Sequence, residues 1–139
     1  MDRTVLICDD VSFVRKHLRE ILKKGHFDVV GEASDGVQAV EMYSKLRPAI
    51  VTMDVVMPSM SGIEAARRIL QTDTDAKIIM VSAMGQENLV MEAMHAGAKD
   101  YILKPFTENE ILKTLEHVLT GGDDSIVGGR VRGLQAKSG

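Results

Sequence analysis

The alternation of short apolar runs with amphipathic segments is the strongest constraint on how this chain can fold. Five short runs rich in Ile, Val, Leu and Met are each followed by a stretch whose apolar residues recur at helical spacing. Such βαβ units join parallel strands through right-handed crossovers, so we predict an α/β fold with a doubly wound, five-stranded parallel sheet and helices on both faces. The predicted strands are residues 4–8, 27–33, 77–82 and 100–103 and the run between Pro48 and Pro58, and the predicted helices are residues 12–24, 37–46, 63–71, 87–96 and 108–119.

The central run, from Pro48 to Pro58, is apolar for most of its length and carries one carboxylate, Asp54. A strand of this composition is typical of a parallel sheet that is buried on both faces. An ionised carboxylate at its end needs water, a cation or hydrogen-bond donors. Because ligands of open parallel sheets bind outside the carboxyl ends of the strands, Asp54 lies where chemistry is expected.

Polar residues follow the other predicted strands as well. The first strand ends at Asp9 and Asp10, the fourth at Ser82 and the fifth at Lys104. Three carboxylates brought to one rim repel one another, and a hard divalent cation with oxygen ligands relieves that repulsion, so Mg²⁺ is the predicted cofactor. With a cation and an ammonium group to neutralise phosphoryl oxygens, Asp54 becomes a candidate nucleophile that forms an aspartyl phosphate.

Composition limits the remaining classes of protein. The chain has 139 residues, 45% of them hydrophobic, and a formal net charge of -3, which argues against nucleic acid as a direct partner. No apolar run reaches the roughly 18 residues that span a bilayer, so no membrane insertion is expected. A single cysteine, Cys8, and the absence of a signal-peptide pattern indicate a cytoplasmic protein.

The chain changes in character after residue 120. We predict a folded domain over residues 1–120 and a disordered, glycine-rich tail over residues 121–139, which has too few apolar residues to offset the entropy of ordering. Two alternatives stay open for the tail. It could be a linker to an output domain, or a short basic segment through Arg130, Arg132 and Lys137.

Four motifs, taken together, resemble the receiver domain of bacterial response regulators over about residues 4–120. They are Asp9-Asp10, Asp54 before Met57-Pro58, Ser82-Ala83 and Lys104-Pro105-Phe106. Met60-Ser61-Gly62 and Gly97-Ala98-Lys99-Asp100 are similar to the free-standing, chemotaxis-type receivers. The resemblance implies a flavodoxin-like fold with strand order 2-1-3-4-5 and a cis Lys104-Pro105 bond.

The resemblance also implies roles for individual residues. Asp54 would accept a phosphoryl group from the phosphohistidine of a chemotaxis-type sensor histidine kinase. The Mg²⁺ ligands would be Asp10 and Asp54 directly, Asp9 through water, and the backbone carbonyl of Val56. Phosphoryl oxygens would be bound by the Ser82 hydroxyl, the Ala83 N–H and Lys104, while Ser82 and Tyr101 would form the switch. The output partner would be the flagellar motor switch, with a phosphatase as a possible further partner.

Apolar residues at two positions predict a long phosphoryl lifetime. Val56 and Met84 would flank the path of the hydrolytic water, and neither side chain can orient water as a polar residue could. Alternatives remain at this stage: the receiver half of a two-domain regulator, or a phosphohydrolase. The latter typically carries an Asp-x-Asp pair, and position 56 is valine, so a signalling module rather than an enzyme is expected.

Each site residue, taken alone, also has a plainer interpretation. Asp9 and Asp10 could serve as a charge pair at a helix N-terminus, where the dipole favours anions. Tyr101 could be a half-buried aromatic residue of a strand. Ser82 could be a turn residue and Lys104 a solvated lysine at the end of a strand. Only the joint spacing of the motifs favours a site.

Overall fold

A computed structural model describes residues 1–121 of the chain, and the predicted tail therefore lies almost wholly outside the described residues. Strands and helices alternate along the sequence as predicted. The strands are β1 Thr4–Cys8, β2 Asp28–Ala33, β3 Ile50–Met53, β4 Ile78–Ser82 and β5 Asp100–Leu103. The helices are α1 Ser12–Lys24, α2 Gly36–Leu46, α3 Gly62–Thr72, α4 Glu87–His95 and α5 Glu108–Leu119.

The five strands form one parallel sheet with the order β2-β1-β3-β4-β5. This confirms the predicted strand order and the α/β class. β1 lies between β2 and β3, and its last residue, Cys8, is in register with Met53. Because every strand runs the same way, the residues that follow β1, β3, β4 and β5 meet at one rim of the sheet.

Each face of the sheet packs its own hydrophobic core. Leu6, Met53 and Met80 point to the face that α2, α3 and α4 cover, whereas Ile7 and Ile79 point to the face that α1 and α5 cover. These side chains have no exposed surface. Full burial of a large aliphatic side chain contributes about 1.5–3 kcal/mol, so the two cores hold the sheet rigid beneath the rim.

Local signals explain where most helices begin and end. Thr107 and Glu110 form a capping box at the start of α5, and the Ser61 hydroxyl accepts the Glu64 N–H at the start of α3. β2 begins one residue later than predicted, because the Phe27 N–H donates to the Leu22 carbonyl and belongs to the helix end. The predicted cis bond at Lys104-Pro105 is confirmed.

Within residues 1–121, no helix is long and apolar enough to cross a membrane.

Candidate functional site

Two of the predicted site residues are carboxylates with little solvent access. Asp9 follows β1 and is 1% exposed, and Asp54 follows β3 and is 7% exposed. The Asp54 N–H donates to the Cys8 carbonyl at 2.9 Å, which extends the β1–β3 ladder by one residue and fixes the backbone of Asp54. The rigid sheet therefore holds both carboxylates at the rim.

Lys104, which follows β5, bridges these two carboxylates. Its Nζ atom lies 2.7 Å from Oδ2 of Asp9 and 3.0 Å from Oδ2 of Asp54. The Lys104 N–H also donates to the Ser82 carbonyl, so the backbone that carries the ammonium is anchored to the end of β4. Lys104 could have been a solvated lysine on sequence grounds alone. Its side chain is instead mostly buried and paired with two carboxylates.

Burial and the neighbouring charges shift the pKa values of Asp54 and Lys104. Burial raises the pKa of Asp54 above its ordinary value, although hydrogen bonding and attraction to Lys104 oppose the shift. Burial alone would lower the pKa of Lys104, but its bonds to Asp9 and Asp54 raise it above the ordinary value. The ammonium therefore stays charged at neutral pH, beside a carboxylate that is costly to ionise.

Asp10 completes a cluster of oxygen donors. Carboxylate oxygens of Asp9, Asp10 and Asp54 all lie within 4.8 Å of one another. Asp10 is exposed, so the cluster opens to solvent on one side. Three carboxylates beside one ammonium leave a formal charge of -2, and hard oxygen donors of this kind suit a small divalent cation. The donor set fits the predicted cation.

The chain matches a known protein family over most of its length. Residues 5–116 match the response regulator receiver domain. The chain belongs to this family. The chemotaxis protein CheY of Thermotoga maritima is 49% identical over 118 residues, which is 85% of this chain and 98% of that protein. CheY of Bacillus subtilis is 48% identical over 119 residues, or 86% of this chain and 99% of that protein.

Solved receiver structures agree with the observed fold. A crystal structure of the CheX-CheY-BeF3-Mg²⁺ complex from Borrelia burgdorferi superposes with a TM-score of 0.81 at 38% identity, covering 83% of this chain and 87% of that one. The family places this receiver in two-component signal transduction. The CheY relatives of Thermotoga maritima and Bacillus subtilis are chemotaxis proteins.

The predicted switch residues of this receiver lie next to each other. Ser82 is fully buried, and its Oγ accepts the Met84 N–H at 3.1 Å. Tyr101 is fully buried rather than half-buried, and its hydroxyl donates to the Met84 carbonyl. Burial raises the pKa of Tyr101 and the Asp54 charge adds to the shift, although the Ser82 hydroxyl opposes it. The Tyr101 side chain is thus anchored to the loop that follows β4.

The two residues predicted to tune dephosphorylation differ in their surroundings. The Val56 N–H donates to Oδ1 of Asp54 at 3.3 Å, while the residue as a whole is 57% exposed. Met84 is partly buried, and Ala83 beside it is exposed. The Ala83 N–H, the Val56 carbonyl and the tuning roles stay predictions.

Two residues that contact the backbone of the site were not predicted. Arg15 on α1 donates from Nη1 to the Asp9 carbonyl at 2.8 Å. Gly62 lies so close to Asp54 that a Cβ at position 62 would stand 1.8 Å from the Asp54 carbonyl oxygen. Gly62 could have been identified from the sequence, since it follows the loop after Asp54 and begins a helix. The arginine looks like any other cation of an amphipathic helix.

Proposed function

We propose that this receiver accepts a phosphoryl group on Asp54 from the phosphohistidine of a chemotaxis-type histidine kinase, and that phosphorylation changes its affinity for an output partner. The observation that carries the proposal is the placement of Lys104, whose ammonium lies 3.0 Å from the Asp54 carboxylate at the open rim. A buried carboxylate with a cation at hydrogen-bond distance, next to two more carboxylates, suits the transfer of an anionic group better than it suits a structural role.

In the proposed reaction a carboxylate oxygen of Asp54 attacks phosphorus, the new O–P bond forms, and the P–N bond to the kinase imidazole breaks. The imidazole nitrogen keeps the electron pair of the broken bond and takes a proton. Lys104, the Ser82 hydroxyl and the Ala83 N–H would bind the phosphoryl oxygens. Positioning and charge neutralisation dominate phosphoryl transfer, so no general base is needed on this chain.

Mg²⁺ is the proposed cofactor, held by Asp9, Asp10, Asp54 and the Val56 carbonyl. When bound, the ion supplies positive charge against the oxygens of the transferred group. The carboxylates of this chain would hold the ion at the rim of the sheet. Lys104 is already paired with two of them in the structure, so binding of the ion and re-pairing of the ammonium are coupled.

We further propose that the chain acts in the cytoplasm as a signalling module rather than as an enzyme with an external substrate. Its proposed output partner is the flagellar motor switch, and its proposed antagonist is a phosphatase. The chemotaxis relatives support this choice, and one structural relative is a CheY bound to CheX. The acidic net charge supports a protein partner over nucleic acid.

The direct test is to incubate the full chain with Mg²⁺ and acetyl phosphate and to locate the modified residue by mass spectrometry. We expect one hydroxylamine-labile phosphoryl group on Asp54, no labelling without Mg²⁺, and none in Asp54→Asn. The Asp75→Asn variant is the matched control, since Asp75 is an exposed carboxylate outside the rim. Full labelling of Asp54→Asn at another residue would refute the proposed nucleophile.

A further inference from the structure

Arg15 occupies an unusual place beside the acidic cluster, because it contacts the backbone of the site rather than a carboxylate of the site. Its Nη1 atom donates to the Asp9 carbonyl at 2.8 Å, and its Nε atom donates to Oε1 of Glu32 at 3.0 Å. The arginine side chain is 19% exposed. One guanidinium group thus joins α1, the edge strand β2 and the loop that follows β1.

The bond to the Asp9 carbonyl bears on Asp10 more than on Asp9. That carbonyl belongs to the peptide plane that also holds the nitrogen of Asp10, so fixing the oxygen fixes the direction in which the chain enters Asp10. The Asp9 side chain has its own restraints, an ion pair with Lys104 and a hydrogen bond from the Val11 N–H at 2.9 Å. Asp10 is exposed, and its carboxylate has no hydrogen-bond partner among residues 1–121.

Given the proposed Mg²⁺ site, on which this inference rests, we propose that Arg15 is a positioning residue that orients Asp10 toward the cation. The guanidinium holds the Asp9–Asp10 peptide, and Glu32 holds the guanidinium. Asp10 then needs to lose less conformational freedom when the ion binds. Residues that orient metal ligands through a second layer of hydrogen bonds affect metal affinity by about 10–100-fold.

Arg19 provides an internal control for this proposal. It lies one turn further along α1 and donates to the other oxygen of the same Glu32, with Nε at 2.7 Å from Oε2. Within residues 1–121, Glu32 is its only hydrogen-bond partner, and Arg19 is more exposed than Arg15. The two arginines share a helix, a charge and a partner. They differ in the bond to the Asp9 carbonyl.

The experiment measures the Mg²⁺ dissociation constant of the full chain by isothermal titration calorimetry, without any phosphodonor. Arg15→Lys keeps the charge but loses the planar fork that reaches two acceptors at once, so we expect the dissociation constant to rise about tenfold. Arg19→Lys should leave it within about twofold of the wild type, because no bond to the site backbone changes. Melting curves without Mg²⁺ check that both variants remain folded at the titration temperature.

Arg15→Gln separates positioning from charge. Loss of a positive charge near the cluster would by itself tighten Mg²⁺ binding, whereas loss of the tether weakens it. Weaker binding by Arg15→Gln therefore supports positioning, and tighter binding contradicts it. Equal affinities of Arg15→Lys and wild type, or equal losses in Arg15→Lys and Arg19→Lys, overturn the role of Arg15 alone. Absence of Mg²⁺ binding by the wild type would overturn the proposed function as well.

Discussion

The ammonium of Lys104 and the carboxylate of Asp54 lie 3.0 Å apart, and each stabilises the charged form of the other. Lys104 acts to lower the pKa of Asp54, and Asp54 acts to raise the pKa of Lys104. For Lys104 the net result is a pKa above the ordinary 10.5, despite its burial. A raised pKa in the folded state means that the ammonium contributes stability that is fully present below pH 10.5. This contribution is lost as the pH rises through the folded-state pKa of Lys104. The free energy of unfolding should therefore fall at strongly alkaline pH.

Lys104→Met should lower the free energy of unfolding by about 3 kcal/mol at pH 7, because it leaves Asp9 and Asp54 buried without their cation. Urea denaturation measures the difference. Lys24→Met is the matched control, since Lys24 pairs with Glu108 at 3.2 Å on the surface and should change stability by about 0.5 kcal/mol or less. Equal losses in the two variants would contradict the buried pairing.

Asp54→Asn should raise the urea midpoint at pH 7 when no Mg²⁺ is present. The pKa of Asp54 is raised by burial, so the folded state favours the protonated acid, and stability is lost as the pH rises from 3.8 through the folded-state value. Asparagine carries no charge and avoids that loss. The gain over the wild type should shrink as the pH approaches 3.8. A gain that is constant with pH would show that ionisation is not its cause.

Thr52→Val should stabilise the protein by about 1 kcal/mol, because it replaces a buried hydroxyl that has no hydrogen-bond partner among residues 1–121 with a methyl group of similar shape. Thermal and urea unfolding both report the change. Thr4→Val is the contrasting variant. The Thr4 hydroxyl accepts the Ala49 N–H and donates to Asp2, so its removal should be destabilising. Destabilisation in both variants would indicate that Thr52 has a polar partner.

Gly62→Ala should destabilise the protein by about 1–3 kcal/mol and should slow phosphorylation of Asp54, because the new methyl group displaces the Asp54 carbonyl. Gly31→Ala is the control. A Cβ at position 31 would meet the ends of three side chains and no backbone atom: Cε of Met42 at 2.7 Å, Cδ1 of Leu46 at 2.9 Å and Cδ1 of Leu6 at 3.3 Å. Acetyl phosphate labelling rates and urea midpoints of the two variants are compared. Normal labelling in Gly62→Ala would mean that the loop tolerates the shift without moving the nucleophile.

The phosphoryl group on Asp54 should decay slowly. Val56 and Met84 offer no strong hydrogen-bonding group to orient the attacking water, and one or two missing bonds correspond to about 10–100-fold in rate. Val56→Asn and Met84→Glu should therefore shorten the lifetime in Mg²⁺, as followed by loss of the label. Because Val56 is exposed and Met84 is partly buried, we expect the larger change in Met84→Glu. Unchanged or slower decay in both variants would reject the shielding argument.

The helices, the strands and the polar residues at the strand ends could be predicted from the sequence, because their signals depend on residues that are near in the chain. The capping box of Thr107, the apolar runs and the acidic pair after the first strand each depend on near neighbours. Arg15 was missed because its acceptors lie on a different strand and a different loop, and only helix docking brings them together. The full burial of Tyr101 was missed for the same reason, since its depth depends on the loop after β4.

The hydrogen bond from Tyr101 ends on the backbone of Met84, not on its side chain. Every amino acid carries the same carbonyl oxygen, so replacement of residue 84 leaves the acceptor chemically unchanged. A substitution at position 84 would therefore change the predicted lifetime of the phosphoryl group and keep the acceptor that anchors the aromatic ring. The backbone of residue 84 thus anchors Tyr101, whereas the predicted control of signal lifetime rests on its side chain alone.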